Sequence, residues 1–457
     1  MKHTNRLALE GGPKTIYEPL PFAGFGAELI GEEEERHVLD ALRSRKLCRI
    51  AHPFEDSPAH RLEQAIRQRF DVPFSVALNS CASALHVALV AIGIGPGDEV
   101  LVSGAGWFSV ASAAINLGAV PVPVEYREDL TIDVDDLETK LTDRTRALIV
   151  IHWRGLPPDM ERLMAIARRH SLRVVEDVAQ SFGASYRGRA LGTIGDVGCY
   201  SFNTHKIICG GEGGALVTKE PAIYKRAMSF SGMYNMYLRL YDDGERRSMP
   251  QLPMLNFRIP ELCAAMTLAQ LGRLDEILGT LRARSRELVA GIEALGTLNL
   301  ATRHDPLGDC GYTVPVVFPD AEQASFFFEA MRAEGAGNVS NASYGFGGGE
   351  ARGTAQLVAS EGLDSSESGQ MAIAHTWRCV TERTGPTPKL NAWKLGYGEG
   401  SRPSAEHEAL GIMRQTRDRL SRVVAFKTNV LLEQRHVEGV LRATEKVTRV
   451  MQQRYSR

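Results

Sequence analysis

One lysine in the segment CYSFNTHKIICGGEGG (199–214), Lys206, stands between a strand that ends in serine and a run of glycines. An amine sheltered in this way is unprotonated often enough to attack a carbonyl or aldehyde carbon. Gly210, Gly211, Gly213 and Gly214 present no Cβ, so the backbone around them can come close to a flat ring or a phosphate. The same residue types also suit an ordinary turn carrying a surface lysine, so Lys206 needs partners before it means chemistry.

Three further segments offer such partners. In LRVVEDVAQSFGA (172–184), Asp177 ends a nearly all-apolar strand, where a carboxylate calls for a cation. The protonated ring nitrogen of pyridoxal 5'-phosphate is one, and a carboxylate that keeps it protonated makes the ring an electron sink. A plain helix N-cap is the alternative. In ALNSCASALHVAL (77–89) a small-residue turn opens a helix directly after a strand. There the unsatisfied amides of Cys81 and Ala82, at the positive end of the helix dipole, would face a phosphate, unless Ser80 merely caps the helix. In SGAGWFSVASAA (103–114), Trp107 follows a strand beside Gly104 and Gly106 and could stack on a flat cofactor or pack into the core.

Positioning these residues takes a sheet. From about residue 62, helical patterns alternate with short apolar runs, the βαβ rhythm of a mainly parallel sheet covered on both faces. Strands are expected at 75–79, 99–103, 119–125, 146–152, 172–178 and 214–219, with a helix across SALHVALVAIGI and a turn at Gly95-Pro96-Gly97-Asp98. After NFRIP (256–260) leucines and alanines at helical spacing predict one long helix, through LCAAMTLAQLGRLDEILGTLRARSRELVAGIEAL, bridging two domains. YTVPVVF (312–318) and AEQASFFFEAMRAEG read as strand and helix of a smaller α+β unit. The expected division is a large domain with the N-terminal segment over 1–285 and a smaller domain over 286–457. The Gly- and Ser-rich stretch 344–370 reads as a mobile loop, either a surface insertion or a lid.

The 457 residues carry 53 basic and 55 acidic side chains, a formal charge of -2. Such balance offers no field for nucleic acid or an anionic membrane. Seven cysteines, an odd number with no CxxC pair, argue against a disulfide framework or a structural zinc, so no metal is expected. With no signal-like or bilayer-spanning apolar stretch, the chain reads as cytoplasmic.

Taken in order, these segments resemble the DegT-type aminotransferases, fold-type I pyridoxal-phosphate enzymes that aminate nucleotide-linked ketosugars and cyclitols. The resemblance rests on the small residues before ALH, on IGPGDEV, EDVAQSFGA, SFNTHKIICGGEGG and NFRIPELCAA, and on the N-terminal LALEGGP and the EEE-containing helix near 32–35. It implies that Lys206 carries the cofactor as a Schiff base, that Asp177 pairs with the pyridine nitrogen, and that Gln180 contacts the cofactor hydroxyl. It further implies that Trp107 stacks on the ring, that Ser201 and the Cys81 and Ala82 amides hold the phosphate, and that Asn256 reaches the phosphate of a neighbouring subunit in a homodimer. The implied reaction moves an amino group from L-glutamate or L-glutamine to a ketosugar or ketocyclitol, in the biosynthesis of an amino sugar, aminocyclitol, antibiotic or related product.

Three departures stand out. Ala82 replaces the family's usual phosphate-binding threonine, and Arg154 in HWRGLPPDM replaces a common tyrosine, either as a contact to a substrate carboxylate or phosphate or as a surface loop residue. The resemblance fades between about 340 and 400, where His375, Arg378 and Lys389 offer contacts no better marked than ordinary surface charges. Two other functions compete: a pyridoxal-phosphate lyase or dehydratase, though the family's dehydratases have histidine where Lys206 stands, and a non-catalytic, cofactor-binding regulator.

Overall fold

The computed structural model describes residues 6–21, 24–51, 54–234, 236, 242–247, 249–342, 380, 383, 385–387, 390–397 and 413–455. The expected loop at 344–370 and the residues His375, Arg378 and Lys389 lie outside these.

The first sheet is built from β1 (Phe74–Leu78), β2 (Glu99–Ser103), β3 (Val120–Val124), β4 (Thr145–Ile151) and β5 (Arg173–Asp177). A small hairpin, β6 (Ser185–Tyr186) with β7 (Arg189–Ala190), follows, and β8 (Val197–Ser201) and β9 (Gly214–Thr218) complete the sheet. The strand order is β1-β9-β8-β5-β4-β2-β3. Pairing is parallel from β8 to β3, while β9 runs antiparallel to both β8 and β1. The fold is therefore α/β with a mainly parallel mixed sheet, as the alternation of patterns implied. VPVPV forms β3 in spite of its two prolines because β3 is an edge strand with a neighbour on one side only.

The expected long helix is two. Helix Glu261–Gly272 stops at Arg273, whose backbone leaves the helical region (φ -93°, ψ 0°), and helix Leu274–Leu295 begins directly after it. Gly272 weakens the helix at this point, and the Arg273 guanidinium is drawn to the buried Glu34 carboxylate, Nε to Oε1 2.8 Å. The second helix touches both cores: Leu274, Ile277, Leu278 and Leu281 belong to the core around the first sheet, Leu288 and Ile292 to the second.

The second sheet is antiparallel, β10 (Asn299–Leu300), β11 (Thr313–Val317), β12 (Val339–Asn341) and β13 (Val423–Lys427), in the order β10-β11-β13-β12. Side chains alternate between faces. Val314, Val316, Val339, Val424 and Phe426 lie in the second core with residues of helices Ala321–Ala333 and Gln434–Tyr455. Thr313, Ser340 and Lys427 point the other way. Leu7 belongs to this second core, and the Ala8 and Thr15 amides donate to the Glu334 carboxylate at 2.7 and 2.9 Å. The N-terminal segment thus packs on the smaller sheet's layer. No helix among the described residues is long and apolar enough to cross a membrane.

Candidate active site

Because β1 runs in the same direction as the parallel strands, the carboxyl ends of β1, β2, β4, β5 and β8 share one edge of the sheet with the start of β9. Ligands of open α/β sheets bind at such an edge. It gathers Ser80 to Ala82, Trp107, His152 to Arg154, Asp177 to Gln180, and Ser201 to Lys206.

Burial lowers the Lys206 ammonium below the usual lysine range, although the Asp177, Cys81 and Glu212 charges oppose the shift. Asp177, 4% exposed, has its carboxyl raised by burial against the Ala179 hydrogen bond and the Lys206 charge. Its Oδ1 accepts from the Ala179 amide at 2.9 Å and from the Cys81 thiol at 3.9 Å, and it forms no ion pair among the described residues. A turn rather than a helix follows it, so it caps no helix.

Ser80 does cap helix Cys81–Ala91, its Oγ accepting from the Ser83 amide at 3.0 Å. That leaves the Cys81 and Ala82 amides, which donate to no acceptor among the described residues. Gly214 lies against this turn so closely that a Cβ would stand 2.5 Å from the Ser80 carbonyl carbon and 2.6 Å from the Cys81 nitrogen. Ser201 ends β8 paired with Gly214, so helix start, Ser201 and glycine form one cradle.

Trp107 is 52% exposed and so is not core, with its ring 4.9 Å from that of Phe108. Gly104 and Gly106 serve the sheet rather than the indole: Cβ atoms there would meet the Val124 carbonyl oxygen at 2.5 Å and Ile151 Cδ1 at 2.4 Å. Gln180 is held by its oxygen, which accepts from the Arg154 amide at 2.8 Å and the Tyr312 hydroxyl at 3.2 Å. What it has left to offer a ligand is its NH2 group. Asn256 is exposed, its Oδ1 accepting from the Arg258 amide at 3.3 Å. Arg154 is buried, 3% exposed, and is no surface loop residue.

Sequence reasoning passed over His152 and Glu176. Glu176 precedes Asp177 on β5, so its side chain points to the opposite face. There it accepts from the Gly192, Ile194 and Gly195 amides at 2.9, 2.7 and 2.7 Å and meets His152 Nε2 at 2.9 Å. The His152 amide donates to the Asp177 carbonyl and its carbonyl accepts from Ser181 Oγ. The pair therefore ties together the ends of β4 and β5 on which Asp177 sits. A charged residue inside an apolar strand was the available signal.

Burial alone would raise the Glu176 carboxyl, but His152 and the glycine amides outweigh it and the group lies below its ordinary range. The stabilisation it gives is complete above the unfolded-state value of about 4.5 and is lost as pH falls through the lower folded value. Glu176→Gln is expected to cost about 3 kcal/mol at neutral pH, and the difference from the parent should shrink in acid. Urea denaturation at pH 7 and pH 4 checks both.

The donors and acceptors at this edge fit pyridoxal 5'-phosphate: a buried carboxylate with no ion pair among the described residues for a ring nitrogen, open amides for a phosphate, an exposed indole for a ring face and a sheltered amine for an aldehyde. Together with the α/β fold they define a pyridoxal-phosphate-dependent enzyme. Comparison with known proteins carries the assignment further. The family model described as DegT/DnrJ/EryC1/StrS aminotransferase family matches residues 29–338, and the chain belongs to that family of pyridoxal-phosphate aminotransferases. It is 34% identical to GDP-perosamine synthase of Caulobacter vibrioides over 275 residues, which span 60% of this chain and 69% of that one. It is 33% identical to a putative L-glutamine:3-amino-2,3-dideoxy-scyllo-inosose aminotransferase of Micromonospora echinospora over 294 residues, 64% of this chain and 68% of that one. The crystal structure of 3-amino-5-hydroxybenzoic acid synthase superposes with a TM-score of 0.70 at 20% identity, covering 95% of this chain and all of the other, a likeness of fold.

Proposed function

We propose that this enzyme transfers an amino group from L-glutamate or L-glutamine to a ketone on a sugar or cyclitol, in a biosynthetic pathway for an amino sugar, aminocyclitol or related natural product such as an antibiotic. The observation that carries the reading is the gathering of a half-buried amine, a buried carboxylate with no ion pair among the described residues and an open helix start at one sheet edge. The names of the relatives supply the substrate class: perosamine and an aminated inosose are an amino sugar and an aminocyclitol.

Bound pyridoxal 5'-phosphate supplies an electron sink and carries the amino group between two half-reactions. Lys206 binds the cofactor covalently and, once released, takes a proton from the donor carbon and returns one to the acceptor carbon. Its lowered proton affinity, caused by burial, favours the free amine that takes the proton. Asp177 holds a proton on the ring nitrogen, and the Gln180 NH2 group orients the ring through its hydroxyl. Trp107 covers one ring face. The Cys81 and Ala82 amides and Ser201 hold the phosphate, and Asn256 reaches the phosphate of a second copy in a homodimer. The described cysteines are all free thiols, in keeping with a cytoplasmic setting.

Gly214→Ala tests the phosphate cradle. Its Cβ cannot enter without displacing the start of the helix, so cofactor affinity is expected to fall about 10- to 100-fold, read by titrating the apoenzyme with pyridoxal phosphate. The acceptor is tested by loading the enzyme with the amino group, adding ketosugars and ketocyclitols, and following return of the cofactor absorption together with the aminated product. Return with keto acids alone, and with no sugar or cyclitol ketone, would contradict the proposed substrate class.

A further inference from the structure

The face of the second sheet opposite its own core carries Thr313, Ser340 and Lys427 toward one end, where it meets Arg154, while Val317 and Val423 on the same face pack with the core around the first sheet. Ser340 is paired with Ala425, and Lys427 with Thr313, so Ser340, Lys427 and Thr313 share this face. An Arg154 guanidinium nitrogen donates to Ser340 Oγ at 3.3 Å. Lys427 stands two residues beyond Ala425 on the same strand, roughly 7 Å further along the face. Its backbone is locked, its amide donating to the Asn338 carbonyl at 2.8 Å and its carbonyl accepting from Asn338 Nδ2 at 3.1 Å. Lys427 forms no ion pair among the described residues, and the buried Thr313 hydroxyl opposite it has no hydrogen-bond partner among them.

Two enclosed cations near each other repel. Burial and the Arg154 charge lower the Lys427 ammonium to about 8, and burial lowers Arg154 to about 10. Arg154 also holds a left-handed backbone (φ 53°) that non-glycine residues rarely adopt, and its amide is bonded to Gln180. The backbone that anchors this cation therefore also anchors a residue of the cofactor site.

We propose that Arg154 and Lys427, with the Ser340 and Thr313 hydroxyls, form a subsite for a carboxylate on a substrate of the transamination. The inference rests on the aminotransferase reading of the neighbouring site. A planar guanidinium pairs with a planar carboxylate, and a lysine adds a second charge. Nearness to Gln180 suits a carboxylate on or next to the reacting carbon; a nucleotide diphosphate is held away from that carbon by the sugar ring. The carboxylate comes from the amino donor or from an acidic ketone acceptor.

Three variants of the holoenzyme test this: Lys427→Met keeps the bulk without the charge, Lys427→Arg keeps the charge, and Arg154→Asn removes the charge with a residue that tolerates the left-handed backbone. Each is first shown to retain the absorption of lysine-bound cofactor, and succinate, an unreactive dicarboxylate, is then titrated by calorimetry. Succinate binding should weaken about 10- to 100-fold in Lys427→Met and Arg154→Asn and be largely restored in Lys427→Arg. With one of two repelling cations gone, Lys427→Met without added anion should melt no lower than the parent. Equal succinate binding by parent and Lys427→Met, or none by the parent, would overturn the subsite.

Single-turnover measurements separate the two sources. A rise confined to the donor concentration needed for half-maximal bleaching assigns the donor carboxylate. A rise confined to the acceptor half-reaction assigns an acidic ketone, and no change in either arm overturns the proposal. If no amino donor bleaches the parent enzyme, the aminotransferase reading fails, while the succinate titration still decides the anion subsite.

Discussion

Lys206→Ala is expected to lower turnover by about 10⁴-fold or more and to abolish the absorption of lysine-bound cofactor, while the protein stays folded. The neighbouring thiols do not replace it. The thiols of Cys81 and Cys199 are pushed far up by burial and by the Asp177 charge, so neither is a base near neutral pH. Burial of the free ammonium opposes folding, so in the cofactor-free protein removing it should leave the melting temperature unchanged or higher. Steady-state turnover and the visible spectrum of the holoenzyme, and a thermal melt of the apoenzyme, check all three. Turnover within tenfold of the parent would remove Lys206 from the chemistry.

Asp177→Asn should lower turnover by about 10²- to 10³-fold with cofactor still bound, because the ring nitrogen loses the charge that keeps it protonated. The amide oxygen can still accept from Ala179, so the turn should survive. The stability effect has the opposite sign. The Asp177 carboxyl is raised by burial, so above its unfolded-state value the folded protein without cofactor bears the cost of an unfavourable charge. Asn removes that cost, and the apoenzyme variant should melt above the parent at neutral pH. Bound cofactor should reverse the order, since the parent then gains a cation partner. Equal turnover in the two proteins would leave Asp177 without the proposed role.

The first sheet was legible in the sequence because its strands are buried on both faces and read as short apolar runs. The strands expected at 99–103 and 172–178 fall at Glu99–Ser103 and Arg173–Asp177. Residues at the sheet edge were legible for the same reason: a lysine, an aspartate and a small-residue turn each follow such a run. The break at Arg273 escaped notice because apolar spacing persists across it, and a backbone turn driven by the distant Glu34 leaves no local trace. Strand Val423–Lys427 and helix Gln434–Tyr455 were not anticipated, although the helix is amphipathic.

Arg154 shows the limit most plainly. In HWRGLPPDM it reads equally as a surface loop residue or a substrate contact, because its burial depends on Ser340 and Lys427, far away in sequence. Tyr312 is a similar case. It lies at the start of an expected strand, yet its hydroxyl fixes the orientation of Gln180, and only the packing of the second sheet against the first reveals it. Glu176 and His152 were hidden for another reason. Both serve the backbone that presents Asp177, so their roles follow from the turn at 192–195 rather than from any motif.

The most direct measurement is the visible absorption spectrum of the purified holoenzyme, before and after L-glutamate or L-glutamine is added separately. Lysine-bound cofactor absorbs at roughly 410–430 nm, and a band is expected there that bleaches with one of the two donors, which names the donor. A band that persists with both would contradict transamination from these donors. No band even after added pyridoxal phosphate would contradict the assignment of Lys206 as the cofactor-binding residue.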